Sequence, residues 1–246
     1  MKKNENVKSR RYSALININA VLNSLGLKEV NLENVHFNSK EKFIPKILED
    51  KEIKKFFETI DILSKNYNSK EQNIYQIFFR LLYNTGLRIS EALNLEKRCY
   101  IRENGVLLII KSKNYITRNV CLSDSMKKIL DEYLDKINIE EKDKIFNISE
   151  KKIREFFCNV VITASLEPLR IHDLRHTFAV SALNKLLKDI EENKALYMLQ
   201  VFMGHTKLES TEYYLRFTKK EINNFRKTAN RINNDIFVGE KNERNR

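Results

Sequence analysis

Apolar residues recur along most of the chain at intervals of three and four residues, the spacing that predicts amphipathic helices. Proline and glycine are rare, with two prolines and five glycines in 246 residues, so each of them marks a boundary. The pair Thr85-Gly86 predicts a helix C-cap, and a sharp turn carrying Arg88 follows it. The pattern predicts helices over residues 8–25, 49–63, 71–83, 123–136, 149–163, 171–187, 194–202, 208–217 and 220–233.

One region of the chain has the pattern of β-strands. Residues 99–101 and Val106–Ile110 are joined through Glu103-Asn104-Gly105, and residues 119–122 form a third short run. These runs predict a small antiparallel sheet, so the expected fold class is mainly α with a small antiparallel β-sheet (α+β). No apolar run approaches the roughly 20 residues of a membrane-spanning helix, and no signal peptide pattern is present. We therefore expect a cytoplasmic protein without a membrane partner.

Charge and cysteine content narrow the possible partners. The chain has 45 Lys and Arg against 33 Asp and Glu, a formal net charge of +12, which favours a polyanion such as DNA or RNA. Simple solubility is the alternative explanation of that charge. Cys99, Cys121 and Cys158 lack C-x-x-C spacing, which argues against both a disulfide framework and a zinc ribbon. We interpret them as reduced packing residues.

The most unusual stretch is "RIHDLRHTFAV" at residues 170–180, because it holds two of the four histidines of the chain. His172 and His176 are four residues apart on one helix face, the spacing of a helix-borne zinc site in which His205 would be a third ligand. Asp173 stands where such a site needs a glutamate base, and Arg175 would place a fixed cation beside the metal. These two residues weigh against a metal site.

The alternative interpretation is that Arg175 and His172 face an anion, while Leu174 and Phe178 anchor the opposite side of the helix in the core. This interpretation requires further cationic residues elsewhere in the chain. Two segments supply candidates: "TGLRISEALNL" at residues 85–95 carries an arginine after a glycine corner, and "MGHTKLESTEYYLRF" at residues 203–217 carries a histidine after another glycine.

Together these segments resemble the tyrosine recombinase (phage integrase) family. T-G-L-R-I-S-E-A-L at 85–93 is similar to the family's first arginine box, and H-D-L-R-H-T-F-A at 172–179 is similar to its second. M-G-H at 203–205, with a tyrosine nine residues after the histidine, is similar to the third. The resemblance covers residues 45–233. It implies the tyrosine recombinase catalytic-domain fold and an enzyme that breaks and rejoins DNA without ATP, cofactor or metal.

The resemblance assigns catalytic roles to residues of the three boxes. Arg88 and Arg175 would bind the non-bridging phosphate oxygens and stabilise charge on the pentacovalent phosphorus. Tyr214 would be the nucleophile, and His172 is the candidate base that accepts its proton. His205 would donate a hydrogen bond to a phosphoryl oxygen.

The lysine of the family's β-hairpin is assigned by spacing. That lysine is commonly followed by R, V and L at five, seven and nine residues, and from Lys113 these positions hold Arg118, Val120 and Leu122. Lys113 is therefore the predicted general acid that protonates the departing 5′-oxygen, with Lys111 as the alternative.

Two further residues of the boxes are assigned supporting roles. Glu91 lies one turn after Arg88 and is expected to brace that corner by pairing or capping. His176 is interpreted as a structural residue behind the reacting groups.

The nucleophile must be chosen between two adjacent tyrosines. Neighbouring helical residues point about 100° apart, so only one of Tyr213 and Tyr214 can face the phosphate. Tyr213 shares its side with Glu209 and Arg216, a charged pattern typical of a solvated face. Tyr214 shares its side with small residues that would leave room for a DNA backbone, so Tyr214 is predicted to bond to DNA.

The chain divides into three predicted parts. Residues 1–41 are interpreted as a remnant or truncated core-binding segment and linker, residues 42–236 as the catalytic domain, and residues 237–246 as a charged flexible tail. Members of the family usually carry a helical core-binding domain, for which the first part is too short. A truncated chain, a degenerate remnant and a minimal member are the three explanations left open.

The predicted function is site-specific recombination or integration of double-stranded DNA through a 3′-phosphotyrosyl intermediate, with a homo-oligomer, a tetramer, assembled on the DNA. The alternatives are a non-catalytic DNA-binding regulator and DNA relaxation of the type IB topoisomerase kind. The sequence leaves the target site open, because members of the family share chemistry while differing in the groove contacts that read bases.

Overall fold

The described residues of the computed structural model are 45–110 and 117–237. The predictions for residues 8–25, for the tail and for Lys111 and Lys113 lie outside them. Over the described residues the helices are α1 (Asp50–Ser64), α2 (Ser69–Thr85), α3 (Ile89–Leu93), α4 (Asp124–Lys136), α5 (Glu150–Thr163), α6 (Ile171–Asp189), α7 (Glu192–Met203), α8 (Glu209–Glu212) and α9 (Lys219–Phe237). The strands are β1 (Tyr100–Ile101), β2 (Val106–Ile110) and β3 (Thr117–Cys121), with 3₁₀ turns at Lys97–Cys99 and Leu215–Phe217.

Polar caps and left-handed glycines fix the helix ends. The side chains of Asn68, Ser123 and Ser149 accept hydrogen bonds from backbone N–H groups in the first turns of α2, α4 and α5. Gly86 ends α2 at φ +60° and Gly204 ends α7 at φ +64°, a conformation that glycine adopts at least cost. The predicted C-cap at Gly86 is confirmed, and its carbonyl faces the interior.

The three strands form one antiparallel sheet in the order β1-β2-β3, as the sequence predicts. Leu107 pairs with Val120 and Ile109 pairs with Arg118, and the side chains of all four are buried on the inner face. β3 begins at Thr117, earlier than the predicted residue 119. The sheet therefore holds one buried arginine at a fixed position among apolar side chains.

Two groups of buried side chains stabilise the fold. The larger one lies among α1, α2, α5 and the sheet, where the rings of Tyr75 and Phe156 stack with centroids 3.9 Å apart. The smaller one, called here the second cluster, joins α6 and α7 to Tyr214 and consists of Ala179, Val180, Leu183, Ala195, Leu196, Leu199, Met203 and Tyr214. Each fully buried apolar side chain contributes about 1.5–3 kcal/mol. The predicted nucleophile is thus part of a hydrophobic core.

Two predicted elements are wrong in detail. The helix predicted over 208–217 is interrupted, because α8 ends at Glu212 and a separate 3₁₀ turn begins at Leu215. The turn predicted after Gly86 contains the five-residue helix α3.

The cysteines also differ from the interpretation. All three are free, but only Cys99 is a buried packing residue, since Cys121 and Cys158 are exposed. Within the described ranges, no helix has the length and apolar composition needed to cross a bilayer.

Candidate active site

Arg175 connects the three boxes. Its side chain is 2% exposed, Nη1 donates to the carbonyl of Gly86, and Nη2 donates to the carbonyl of Met203 at 2.7 Å. The two carbonyls belong to the C-terminal ends of α2 and α7, so one guanidinium of α6 ties both ends together. Burial and the charge of Arg88 lower the pKa of Arg175 to about 10, which leaves it charged at neutral pH. Each terminal nitrogen keeps a second N–H that can bind a phosphate oxygen.

Leu174 anchors α6 in the core as predicted, but Phe178 lies on the same side of the helix as Arg175, because both contact Gly86. Leu174 is 1% exposed in the larger core. Phe178 is half-buried, and its ring stacks on Phe202 with centroids 5.4 Å apart. A Cβ atom on Gly86 would lie 2.5 Å from Cδ1 of Phe178, so the corner leaves no room for another residue.

Arg88 precedes α3 and is held by Glu91. The backbone N–H of Arg88 donates to Oε2 of Glu91 at 2.9 Å, and Nη1 of Arg88 donates to Oε1 at 2.9 Å. The Arg88 side chain is 36% exposed, whereas Glu91 is 10% exposed. Glu91 therefore braces the corner, and Arg88 stays open to a ligand.

Sequence reasoning missed the role of Arg118, which it used only to locate the lysine. Nη1 and Nη2 of Arg118 donate to Oε1 and Oε2 of Glu91 at 3.0 and 2.9 Å, and Nε donates to the carbonyl of Phe202 at 3.0 Å. Burial alone would raise the pKa of Glu91, but the hydrogen bonds from Arg118 and from the Arg88 backbone lower it to about 2. A buried carboxylate thus lies between two guanidiniums.

Two imidazoles contact the region around Tyr214. Nδ1 of His176 lies 2.9 Å from the Tyr214 hydroxyl oxygen, and Nδ1 of His205 lies 2.8 Å from Oγ1 of Thr211. The rings of His205 and Tyr214 stack with centroids 6.1 Å apart. His172 is exposed, and its ring centroid lies 4.7 Å from that of His176. The structure therefore places His176, which was predicted to have only a structural role, beside the hydroxyl of the predicted nucleophile.

All three histidines are weaker bases than free imidazole. Partial desolvation first, and then neighbouring positive charges, lower the pKa of His172, although part of this residue remains exposed to solvent, and burial lowers the pKa of His176 and His205 to about 4. These side chains are consequently neutral at physiological pH. Neutral imidazoles can accept a proton from a phenol.

Tyr214 is 3% exposed and belongs to the second cluster. Burial raises the pKa of its phenol, against the opposing effect of the charges of Arg175 and Arg88. The Tyr214 side chain is therefore covered by other residues of the protein. The prediction of open space for DNA beside it is wrong for this structure.

The expected solvated face at Tyr213 is also wrong. Tyr213 is half-buried and packs against the second cluster. The Arg216 guanidinium lies 4.3 Å from the centroid of the Tyr213 ring, as the predicted shared side requires.

The described residues offer no ready metal site. Among residues 45–110 and 117–237, no three His, Cys, Asp or Glu side chains are grouped as metal ligands would be. Nδ1 of His176 and Nδ1 of His205 are engaged with Tyr214 and Thr211 instead.

Solved structures show the class of protein that this fold defines. The chain of the XerH site-specific recombinase bound to palindromic difH substrate, a post-cleavage complex, aligns with a TM-score of 0.65 and 22% identity over 83% of this chain and 58% of that chain. The catalytic domain of bacteriophage HP1 integrase aligns with a TM-score of 0.53 and 21% identity over 73% of this chain and 92% of that one. The fold is that of a tyrosine recombinase catalytic domain.

Sequence comparison then gives the family. The model of the phage integrase family matches residues 46–221. Tyrosine recombinase XerC of Bacillus subtilis is 30% identical over 237 residues, covering 88% of this chain and 72% of the relative. XerC of Staphylococcus epidermidis is 27% identical over 192 residues, and this chain spans 61% of its length. The chain belongs to the phage integrase family.

Proposed function

We propose that the protein is a site-specific recombinase or integrase that cleaves and rejoins double-stranded DNA through a 3′-phosphotyrosyl intermediate. The observation that carries the proposal is the double hydrogen bond of Arg175 to the carbonyls of Gly86 and Met203, which brings the three boxes into one site. The net charge of +12 supports a polyanionic substrate. Because DNA is the proposed substrate, the cytoplasm is the proposed place of action.

The two arginines would supply the electrostatic part of the reaction. Arg88 is partly exposed and Arg175 keeps N–H groups beyond its carbonyl contacts, so both can bind the non-bridging oxygens of a phosphodiester. Their charges stabilise the pentacovalent phosphorus, which is the role that a metal has in other phosphoryl-transfer enzymes. No metal or cofactor is needed for this proposal.

Tyr214 would attack the phosphorus while its proton passes to an imidazole. The bond between phosphorus and the 5′-oxygen breaks, a 3′-phosphotyrosyl bond forms, and the 5′-oxygen takes a proton from Lys113 in the role that the resemblance assigns. His172 is the predicted proton acceptor, but His176 is the imidazole that lies 2.9 Å from the phenol. His205 would donate a hydrogen bond to the phosphate. A 5′-hydroxyl of a second strand then attacks the 3′-phosphotyrosyl bond, which forms a new phosphodiester and releases Tyr214. Rejoining therefore requires no ATP.

The DNA substrate agrees with the printed descriptions of similar structures. XerH is described as bound to difH substrate, and the Tn1549 transposon integrase as in complex with a circular intermediate DNA. We propose that this chain likewise acts on DNA, as a tetramer in which α9 contacts a neighbouring copy. Ile222 and Phe225 of α9 are 47% and 66% exposed, which leaves an apolar face for such a contact.

The test of the proposed function is covalent trapping on a nicked suicide substrate, followed by digestion and mass spectrometry of the nucleotide-bearing peptide. We expect the adduct on Tyr214, its loss in Tyr214→Phe, and its retention in the matched control Tyr213→Phe. The same assay with His172→Gln and His176→Gln identifies the imidazole that accepts the proton.

Three results would contradict the proposal in different ways. An adduct lost in Tyr213→Phe and kept in Tyr214→Phe moves the nucleophile by one residue. DNA binding without any adduct favours the regulator. Relaxation of supercoiled DNA that lacks a specific site favours the topoisomerase.

A further inference from the structure

We propose that Arg118 is a positioning residue with two effects. It balances the charge of Glu91, so that Arg88 can bind phosphate, and it fixes the turn that carries His205. This inference rests on the proposed function and assigns a role to an arginine outside the three boxes. The role follows from two contacts of the guanidinium, one with the Glu91 carboxylate and the other with the end of α7.

The first contact of Arg118 balances the negative charge of the Glu91 carboxylate. Its Oε1 accepts hydrogen bonds from both Arg88 and Arg118, at 2.9 and 3.0 Å, and its Oε2 accepts another from Arg118 at 2.9 Å. Arg118 therefore occupies both oxygens and balances the carboxylate, while Arg88 reaches only one of them with its side chain. Without Arg118 the carboxylate would neutralise Arg88 and compete with the phosphate for its N–H groups.

The second contact of Arg118 is with the main chain at the end of α7. Nε of Arg118 donates to the carbonyl of Phe202 at 3.0 Å. A Cβ atom on Gly204 would lie 2.8 Å from Cδ of Arg118 and 2.9 Å from its Nη1. The guanidinium thus packs directly against the main chain of Gly204, immediately before His205, and fixes the path of that turn.

The sheet makes this contact rigid. Arg118 pairs with Ile109 across β2 and β3, and its side chain is 7% exposed on the inner face. A side chain held by a paired strand, a carboxylate and a carbonyl has little freedom to rearrange. It can transmit the geometry of one box to the other.

The experiment measures single-turnover cleavage of the suicide substrate at saturating protein, together with DNA affinity at fixed salt. We compare the wild type with Arg118→Lys, Arg118→Ala and the control Arg80→Ala, which removes another arginine–carboxylate pair, in which Nη2 contacts both oxygens of Asp61 at 2.9 and 2.7 Å. Arg118→Ala should lower the cleavage rate about 100-fold, since small displacements of catalytic groups have effects of that size. DNA affinity and the rate of Arg80→Ala should stay close to wild type.

Two further measurements separate positioning from simple destabilisation. Methylguanidinium ion added to Arg118→Ala should restore cleavage by occupying the vacated site, whereas Arg118→Lys should remain slow because an ammonium cannot bind both carboxylate oxygens. Arg118→Met combined with Glu91→Gln leaves neither charge unpaired and also removes the contact with the Phe202 carbonyl, so it should cleave more slowly than Glu91→Gln alone.

The outcomes distinguish this inference from the proposed function. Two results overturn the role of Arg118 and leave the proposed function standing. One is cleavage by Arg118→Ala at the wild-type rate. The other is a loss of cleavage that methylguanidinium does not restore and that is proportional to the fraction of unfolded protein. If Arg118→Ala does not fold, a double variant that cleaves as fast as Glu91→Gln alone overturns it. A wild-type protein that forms no adduct removes the proposed function and this inference with it.

Discussion

At the residue scale, the neutral state of the histidines decides what each group can contribute. Burial lowers the pKa of His176 and His205 to about 4, so neither adds positive charge to a bound phosphate at neutral pH. In the proposed mechanism, charge stabilisation therefore depends on Arg88 and Arg175. The imidazoles are left with proton transfer and hydrogen bonding, and the contact between His176 and Tyr214 is an example of the latter.

The same burial predicts a pH dependence of stability. The unfolded chain binds protons on these histidines near pH 6.5, whereas folded His176 and His205 bind them near pH 4. Because the unfolded state holds more protons between these values, the free energy of unfolding should decrease as the pH falls from 6.5 towards 4. Urea unfolding at a series of pH values measures this slope, and His176→Gln should make it shallower. An unchanged slope in that variant would contradict the assignment.

The sequence predicted the residues of the three boxes but missed their long-range partners. Arg88, Arg175 and Tyr214 are recognisable from local spacing. Arg118 is 27 positions from Glu91, and His176 is 38 positions from Tyr214. Such contacts depend on how helices and strands pack, which periodicity does not encode.

At the element scale, the ends of α2 and α7 position the site. Gly86 and Gly204 both adopt left-handed backbone conformations, and the carbonyls of Gly86 and Met203 receive the Arg175 guanidinium. The geometry of the arginine is thus a property of two helix termini.

We therefore predict that Gly86→Ala decreases the free energy of unfolding by about 1–3 kcal/mol, through left-handed strain and contact with Phe178. The control is the left-handed Ser165 at the end of α5, with φ 48°, where Ser165→Gly should increase stability by up to about 1 kcal/mol. Chemical denaturation of both variants provides the measurement. Equal effects at the two positions would show that the φ angle is not the cause.

The helix ends were predictable where a cap marks them, and the interruption near Tyr214 was not. Ser123 and Ser149, where two helices were predicted to begin, are the N-caps of α4 and α5, whereas α2 begins at Ser69, two residues before its predicted start. Between Glu212 and Leu215 the helical spacing of apolar residues continues, although the helix does not. Burial of Tyr214 in the second cluster accompanies this break, and only tertiary packing provides that information.

At the scale of the whole molecule, the net charge of +12 predicts electrostatic DNA binding. Release of counterions should make the affinity fall steeply between about 50 and 200 mM salt. A fluorescence anisotropy titration at several salt concentrations measures the slope. A slope near zero would mean that the charge serves solubility alone.

Helix α9 provides a prediction about assembly. Its first turn is attached to its own chain, since Lys219 N–H donates to Oδ1 of Asn184 at 2.9 Å and Lys220 pairs with Glu192 at 2.9 Å. Removal of residues 219–246 should leave binding to a single site intact and abolish multimeric complexes, because the apolar face of α9 is lost.

Native electrophoresis and mass photometry on DNA with two sites measure this assembly. Ile222→Asp with Phe225→Asp, which charges the exposed face and keeps the helix, should reproduce the deletion. Normal multimers in both variants would show that α9 folds onto its own subunit.

The two oxygens that hold Arg175 are main-chain atoms, and this has a genetic consequence. Every residue carries a carbonyl, so no missense change at position 86 or 203 can delete an acceptor of that guanidinium. Such changes can act only by moving the backbone. In-frame insertions or deletions near the ends of α2 and α7 should therefore inactivate the protein more often than substitutions at the same codons.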